Sequence, residues 1–108
     1  MHQYLGDARE VLGTLDKGEL FDIAFIDANK SAYFDYLKAV IPRVRKGGLI
    51  IGDNTLLFGA VLKDQPEGVS RAQWTAMRAF NQELADPSKY CSILVPTAEG
   101  MTVAMKLF

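Results

Sequence analysis

The chain of 108 residues has one cysteine, one histidine and no long hydrophobic run. The single cysteine, Cys91, cannot form a disulfide within the chain or complete a cysteine-based metal site, so we expect a small core residue in a reducing compartment. The apolar runs are far shorter than the roughly 20 residues that a membrane-spanning helix needs, and the N-terminus lacks the apolar core of a signal peptide. These absences predict a cytoplasmic protein with no membrane partner.

An excess of either charge is also lacking, because 12 Lys and Arg oppose 13 Asp and Glu, for a net charge of -1. Nucleic-acid binding depends on clustered basic residues, and here they are scattered along the chain, so we expect no nucleic-acid partner. The chain also lacks a GxGxxG turn and the Lys-Ser/Thr pair of a phosphate-binding loop. What remains, 49% hydrophobic and 23% charged residues, is typical of one ordinary globular unit over residues 1–108.

The order of the predicted elements indicates an α/β fold. The segment "REVLGTL" predicts a short helix, and the β-rich run from Phe21 to Asp27 predicts a strand. Apolar residues at helical spacing follow from Ser31 and predict a helix that ends at Gly47-Gly48. We expect Pro42 either to kink this helix or to start its last turn afresh. A strand then runs through "GLIIGD", and a loop rich in Gly, Pro and Asp follows it.

The C-terminal part predicts one more helix and a hairpin. Ser70 and Gln73 have the spacing of a capping box at a helix start. The runs "YCSILVP" and "MTVAMKLF" are β-rich, and the four residues between them are too few for a helical crossover. The sequence therefore predicts parallel strands with an antiparallel hairpin at the C-terminal edge.

Oxygen-bearing side chains end the two predicted parallel strands. Asp27 closes the first, and Asp53 and Asn54 close the second. Ligands collect at the carboxyl ends of strands in open α/β sheets, so neighbouring strands would bring these three side chains together. Two carboxylates and an amide oxygen suit a hard cation such as Mg²⁺. Lys30 would face the same point, where a dication would favour its neutral form and make it a general base.

Each of these residues also has a simpler interpretation. Asp and Asn after a strand are common helix caps and turn residues, which is the more frequent role for Asp27 taken alone. A single lysine such as Lys30 is most often a solvated charge. The metal site is favoured because all of these residues coincide at one end of the predicted sheet.

Three segments resemble a known family, the metal-dependent class I O-methyltransferases of the caffeoyl-CoA and catechol type, which use S-adenosylmethionine. The segments are "FDIAFIDANKSAYFDYL", "GGLIIGDNTLLFGAV" and "GMTVAMKLF". The resemblance implies that Asp27, Asp53 and Asn54 ligate a divalent metal, with Mg²⁺ favoured and Mn²⁺ or Ca²⁺ left open. It also implies that Lys30 assists deprotonation of a hydroxyl on a small, phenolic or catechol-like acceptor.

The same resemblance assigns residues to the cofactor. The "GDA" turn implies that Asp7 and Ala8 contact the adenine of S-adenosylmethionine, and Asn29 and Tyr36 match positions near other parts of it. Asn29 stands where plant members usually have an acid. The segment after Asn54 also departs from the plant pattern "DNTLWNG", so the acceptor is left open.

The resemblance further implies that this is the C-terminal half of a partial Rossmann-like methyltransferase sheet with strand order 3-2-1-4-5-7-6. The N-terminal, cofactor-binding half would be absent, so we expect a weakly active or inactive fragment. The strand starting at Phe21 would then be an exposed apolar edge, which predicts a homo-oligomer. Two alternatives are a non-catalytic α/β assembly module and a receiver-like signalling domain.

Overall fold

A computed structural model describes residues 1–15 and 18–108. The strands are β1 (Phe21–Ile26), β2 (Val44–Asp53), β3 (Tyr90–Val95) and β4 (Met101–Lys106), and the helices are α1 (Ala8–Thr14), α2 (Tyr33–Val40) and α3 (Arg71–Leu84). Short 3-10 turns cover Lys30–Ala32, Ile41–Arg43 and Leu57–Leu62. Within the described residues, no helix combines the length and apolarity required to cross a bilayer.

The four strands form one mixed sheet in the order β1-β2-β4-β3. β1 runs parallel to β2, whereas β4 is antiparallel to both β2 and β3. This arrangement confirms the predicted α/β class, with parallel strands and a C-terminal antiparallel hairpin. The hairpin folds back so that its second strand joins β2, which leaves β1 and β3 as the two terminal strands of the sheet.

The predicted end of the second helix was wrong. α2 ends at Val40, and Pro42 lies in the following 3-10 turn, because proline lacks the N–H that would continue the helix. β2 already begins at Val44 and runs through the two glycines. A side chain at Gly48 would come within 2.8 Å of the Asp22 carbonyl oxygen, so this glycine permits close strand pairing and does not stop a helix.

The core lies between one face of the sheet and the helices α2 and α3. Every second residue along a strand faces the helices. Two of these residues, Ile50 in β2 and Ala104 in β4, have no exposed surface and belong to this core. They pack with large helical side chains, notably Leu37 of α2 and Phe80 of α3. The alternation of inward- and outward-facing residues along the strands therefore determines which face of the sheet the helices cover.

We call the other face of the sheet the open sheet face. It carries two rows of apolar side chains that run across the strands. The strand register gives one row of Ile23, Leu49, Met105 and Cys91 and a second row of Phe25, Ile51, Val103 and Ile93. Ile23, Phe25 and Ile93 are 56%, 57% and 62% exposed. The prediction that Cys91 is a core residue was wrong, because its position in β3 places it on this face.

We expect the capping box of α3 to contribute measurably to stability. The Ser70 hydroxyl accepts from the Gln73 backbone N–H at 3.1 Å, and the Gln73 side chain accepts from the Ser70 N–H at 3.1 Å, which confirms the predicted helix start. Ser70→Ala should lower the free energy of unfolding by about 1 kcal/mol. Urea denaturation measures this, with Thr75→Ala on the exposed side of the same helix as control. Equal stability of the two variants would contradict the expectation.

Candidate metal and cofactor site

The first two strands end side by side at the predicted site. Ile26 is paired with Gly52 in the parallel register, so Asp27 and Asp53 are the next residues at the same edge of the sheet. Asp53 and Asn54 are half-buried, and the Asp27 side chain is 51% exposed. The fold thus brings the backbone positions of the three predicted metal ligands together, while their role in holding a metal stays a prediction.

The hydroxyl of Tyr33 joins the two strand ends. It lies 2.8 Å from the Ile26 carbonyl oxygen and 2.7 Å from the Asp53 carbonyl oxygen, and its single proton is shared between them. The Tyr33 side chain has no exposed surface, and its burial raises the pKa of the phenol. No local sequence pattern assigned Tyr33 to the site, so its link between the strand ends that carry the predicted ligands was missed.

Lys30 lies at the same edge of the sheet and contacts one of the predicted ligands, Asp27. Its Nζ donates to the Tyr33 hydroxyl at 3.0 Å and to Asp27 Oδ1 at 3.3 Å. Partial burial alone would lower the pKa of Lys30, but the hydrogen bonds and charges of Tyr33 and Asp27 outweigh it and raise that pKa. In this geometry Lys30 is a protonated ammonium that holds Asp27, and its role as general base stays a prediction.

Asn54 is held by its own backbone and by the β3–β4 hairpin. It has a positive φ of 59°, which asparagine tolerates better than most residues, and its backbone N–H donates to Asp53 Oδ1 at 2.9 Å. Its side-chain Nδ2 donates to Glu99 Oε2 in the hairpin. The hairpin also accepts from the backbone, since Thr55 N–H reaches the Gly100 carbonyl and Leu56 N–H the Glu99 carbonyl, both at 3.1 Å.

A buried polar cluster lies directly behind Asn54. The Thr102 hydroxyl lies 2.8 Å from the Thr55 hydroxyl and 3.0 Å from Asn81 Oδ1, and Asn81 Nδ2 donates to the Thr55 carbonyl at 2.8 Å. Thr55 has no exposed surface. The three members come from the turn after β2, from α3 and from β4. The cluster therefore ties Thr55, the residue next to Asn54, to both α3 and β4. No local sequence spacing could have indicated it.

The donor set has the chemistry of a magnesium-type site. Two carboxylates and one amide oxygen are hard ligands, and together they would leave positions on such an ion for water or an acceptor. The described residues contain no group of three or more His, Cys, Asp or Glu arranged to hold a metal. The candidate set is consistent with that finding, since Asn54 is its third member and only two of its ligands, Asp27 and Asp53, are carboxylates.

A separate open cavity of about 990 Å³ lies between α3 and the edge strand β3. Arg78, Leu84 and Ile93 are among the described residues that line it, and none of the predicted site residues is. The cavity therefore gives no support to the candidate site, which lies at the carboxyl ends of the strands.

The predicted cofactor residues have structural contacts of their own. Asp7 is the N-cap of α1 and pairs with the Arg9 guanidinium at 2.7 Å, and Ala8 is the first residue of that helix. Arg9 also lies 5.7 Å from the centre of the Tyr36 ring, so the structure brings Asp7, Ala8 and Tyr36 into one region. Asn29 caps the next turn and accepts from the Ser31 hydroxyl at 2.9 Å. Their contact with a cofactor stays a prediction.

The Asp7 carboxyl should titrate well below an ordinary aspartate. Its hydrogen bonds from the Arg9 side chain and backbone lower the pKa of Asp7 from 3.8 to about 2. Because the folded-state pKa is the lower one, the stabilisation is present above pH 3.8 and is lost as the pH falls toward 2. Carboxyl NMR titration should show this, and Arg9→Gln should return the pKa of Asp7 toward 3.8. An unchanged pKa in Arg9→Gln would contradict it.

Comparisons with known proteins agree with one another. A model of a family described as "O-methyltransferase" matches residues 1–107. The chain is 34% identical to probable caffeoyl-CoA O-methyltransferase 3 of Dictyostelium discoideum over 85% of this chain and 42% of that protein. It is also 34% identical to the caffeoyl-CoA O-methyltransferase of Populus kitakamiensis, over 85% of this chain and 40% of that protein.

Solved structures give the same result. The O-methyltransferase TomG of Streptomyces achromogenes, which is involved in tomaymycin synthesis and was solved in complex with SAM, superposes with a TM-score of 0.78 at 30% identity. The alignment covers 95% of this chain and 48% of TomG. The chain thus spans less than half of the length of these relatives.

Proposed function

The chain belongs to the O-methyltransferase family, and from this premise we propose that it carries the metal-binding and acceptor-binding part of an S-adenosylmethionine-dependent O-methyltransferase. The observation that carries the proposal is the adjacency of Asp27 and Asp53 at the ends of β1 and β2, with Asn54 next to them. The similarity to TomG, which was solved with SAM, supports the choice of methyl donor.

In this proposal Asp27, Asp53 and Asn54 hold a divalent metal, Mg²⁺ first and Mn²⁺ or Ca²⁺ as alternatives. When bound, the ion would supply positive charge that lowers the pKa of the acceptor hydroxyl and fixes its orientation. Lys30 would first release its own proton to solvent, because a bound dication would favour the neutral amine, and its Nζ would then accept the proton of the acceptor hydroxyl. The Tyr33 hydroxyl keeps Lys30 beside Asp27 and so places the amine at the ligand edge.

The residues that contact the methyl donor and the chemical class of the methyl acceptor are also proposals. We propose that Asp7, Ala8, Asn29 and Tyr36 contact S-adenosylmethionine and that the acceptor is a small phenolic or catechol-like hydroxyl compound. The Dictyostelium and Populus relatives are named as caffeoyl-CoA O-methyltransferases, which supports this class of acceptor. The resemblance assigns most of the cofactor-binding elements to an N-terminal half, and this chain covers 42% of the Dictyostelium relative and 48% of TomG. We therefore propose that this chain alone binds the cofactor weakly and has little or no activity.

Isothermal titration calorimetry tests both parts. The chain should bind Mn²⁺ or Mg²⁺ but take up S-adenosylmethionine weakly, with or without the metal. Asp22→Asn, at the opposite end of β1 from Asp27, is the matched control and should bind metal as the unmodified chain does. A folded chain that binds no divalent metal would reject the metal site. Tight cofactor binding would reject the proposal of a weakly binding part.

We further propose that the chain forms a homo-oligomer through β1. This strand is terminal in the sheet, and its Ile23 and Phe25 continue into the apolar rows of the open sheet face. Unpaired apolar strands associate readily with other chains. Light scattering after size-exclusion chromatography should show more than one copy, and Phe25→Lys should shift the population toward monomer. The control Phe58→Lys replaces an aromatic that is 78% exposed outside the sheet. A monomer at high concentration would reject the proposal.

The two alternative functions, a receiver-like signalling domain and a non-catalytic assembly module, differ in how well they agree with the family match. The receiver-like interpretation was wrong, because the O-methyltransferase family covers residues 1–107. A non-catalytic assembly module is the second candidate, and the apolar open sheet face favours it. Metal-dependent methyl transfer, measured after addition of a chain that supplies the N-terminal, cofactor-binding half, would reject it. A cytoplasmic location is retained as a proposal.

A further inference from the structure

Glu99 meets the predicted metal ligands from a distant part of the chain. It lies in the connection between β3 and β4, is half-buried, and its Oε2 accepts from the side-chain Nδ2 of Asn54. The two residues are 45 positions apart in sequence. Neither the sequence pattern nor the proposed ligand set assigns any role to this carboxylate.

The chemistry of this contact determines which way the Asn54 amide faces. The amide has a donor end and an acceptor end of nearly the same shape, whereas an ionised carboxylate can only accept. Glu99 therefore selects the NH₂ end of Asn54, and the opposite end, Oδ1, is the one left for another partner. An oxygen is the atom that a hard cation requires, and an amide nitrogen would not ligate it.

We propose that Glu99 is a positioning residue that orients the Asn54 amide so that Oδ1 is presented to the divalent ion. This inference rests on the proposed metal site of Asp27, Asp53 and Asn54. Glu99 acts through Asn54 and is not itself assigned as a ligand. Partners of this kind, which hydrogen-bond a ligating side chain, typically change metal affinity by 10–100-fold when they are removed.

The hairpin does not depend on the Glu99 side chain for its place. Two backbone hydrogen bonds already tie it to the end of β2, from Thr55 to Gly100 and from Leu56 to Glu99. Gly100 has a φ of +76°, and a side chain on it would come within 2.5 Å of Leu56 Cγ, so the hairpin packs closely on Leu56. A change confined to the Glu99 carboxylate should therefore alter the amide orientation and leave the hairpin in place.

The substitution Glu99→Gln isolates the orienting role. A glutamine keeps the length of the side chain, but it can donate as well as accept, so it no longer selects one end of Asn54. We expect about a tenfold or greater loss of Mn²⁺ affinity, measured from the EPR signal of free Mn²⁺, with an unchanged melting temperature. Glu99→Asp keeps an acceptor-only group and should retain more affinity. Glu67→Gln, at an exposed glutamate in the loop before α3, controls for the loss of one negative charge.

Exchanging the donor and the acceptor between positions 54 and 99 gives a measurement that would not change if Glu99 had only a structural role. Asn54→Asp combined with Glu99→Gln turns the hydrogen bond around, so that the new amide donates and one carboxylate oxygen stays free. The net charge of this double variant equals that of the unmodified chain. Mn²⁺ affinity in the double variant should recover beyond the sum of the two single changes, which a double-mutant cycle measures.

The outcomes separate this inference from the proposed function. An unmodified chain that binds no Mn²⁺ would overturn both. Tight binding by the unmodified chain and equally tight binding by Glu99→Gln would overturn only the positioning role. A Glu99→Gln variant whose affinity falls only in proportion to a lowered melting temperature would show a structural residue and would also overturn it.

Discussion

Asp53→Asn should lower the affinity of the chain for Mn²⁺ by at least about a hundredfold. Removal of a residue that merely supports a ligand commonly costs 10–100-fold, so loss of a direct carboxylate ligand should cost as much or more. The substitution is conservative in other respects, because an asparagine oxygen can still accept from the Asn54 backbone N–H, which lies 2.9 Å from Asp53 Oδ1. EPR of free Mn²⁺ or calorimetry would measure the change.

The matched control for this experiment is Asp22→Asn. Asp22 lies at the start of β1, its side chain is 80% exposed, and it pairs with Arg45 at 2.7 Å. The control removes the same charge from the other end of the parallel pair, so it separates coordination from a general change in net charge. Asp53→Asn with unaltered metal affinity and an intact fold would show that Asp53 is only a turn residue, which is the simpler interpretation of the sequence.

Local signals in the sequence were sufficient for several elements of the fold. The capping box of Ser70 and Gln73 marks the start of α3 because its two hydrogen bonds join residues three apart. The connection between β3 and β4 is short enough to require a hairpin. The end of α2 was not predictable in this way, because Gly47 and Gly48 have the same appearance after a helix as within a strand pair.

In the candidate site too, some residues could be predicted from the local sequence and others could not. The convergence of Asp27, Asp53 and Asn54 could be predicted because each lies at or just after the carboxyl end of a strand, and parallel strands place these ends together. Glu99 contacts Asn54 across 45 residues, and Thr102 contacts Thr55 across 47. Contacts at this separation depend on the strand order β1-β2-β4-β3, in which β4 lies next to β2. The exposure of Cys91 likewise depends on which sheet face the helices cover.

The second large effect is expected from Tyr33→Phe, which should lower the free energy of unfolding by about 2 kcal/mol. The ring packs against Phe80 at a centroid distance of 5.1 Å, and phenylalanine retains this contact. Only the hydroxyl is lost, and with it the donor shared by the Ile26 and Asp53 carbonyl oxygens. A polar group left unsatisfied at a buried position costs free energy, since water cannot replace the missing partner.

The same substitution should weaken metal binding, although Tyr33 is no ligand in the proposal. Its hydroxyl holds together the strand ends that carry Asp27 and Asp53 and accepts from Lys30 at 3.0 Å. Urea denaturation and Mn²⁺ titration would measure the two effects, with Tyr36→Phe on the same helix as control. If Tyr33→Phe keeps both stability and affinity, the strand ends are held by the sheet alone. If only stability falls, the hydroxyl supports the core but does not set the spacing of the two carboxylates.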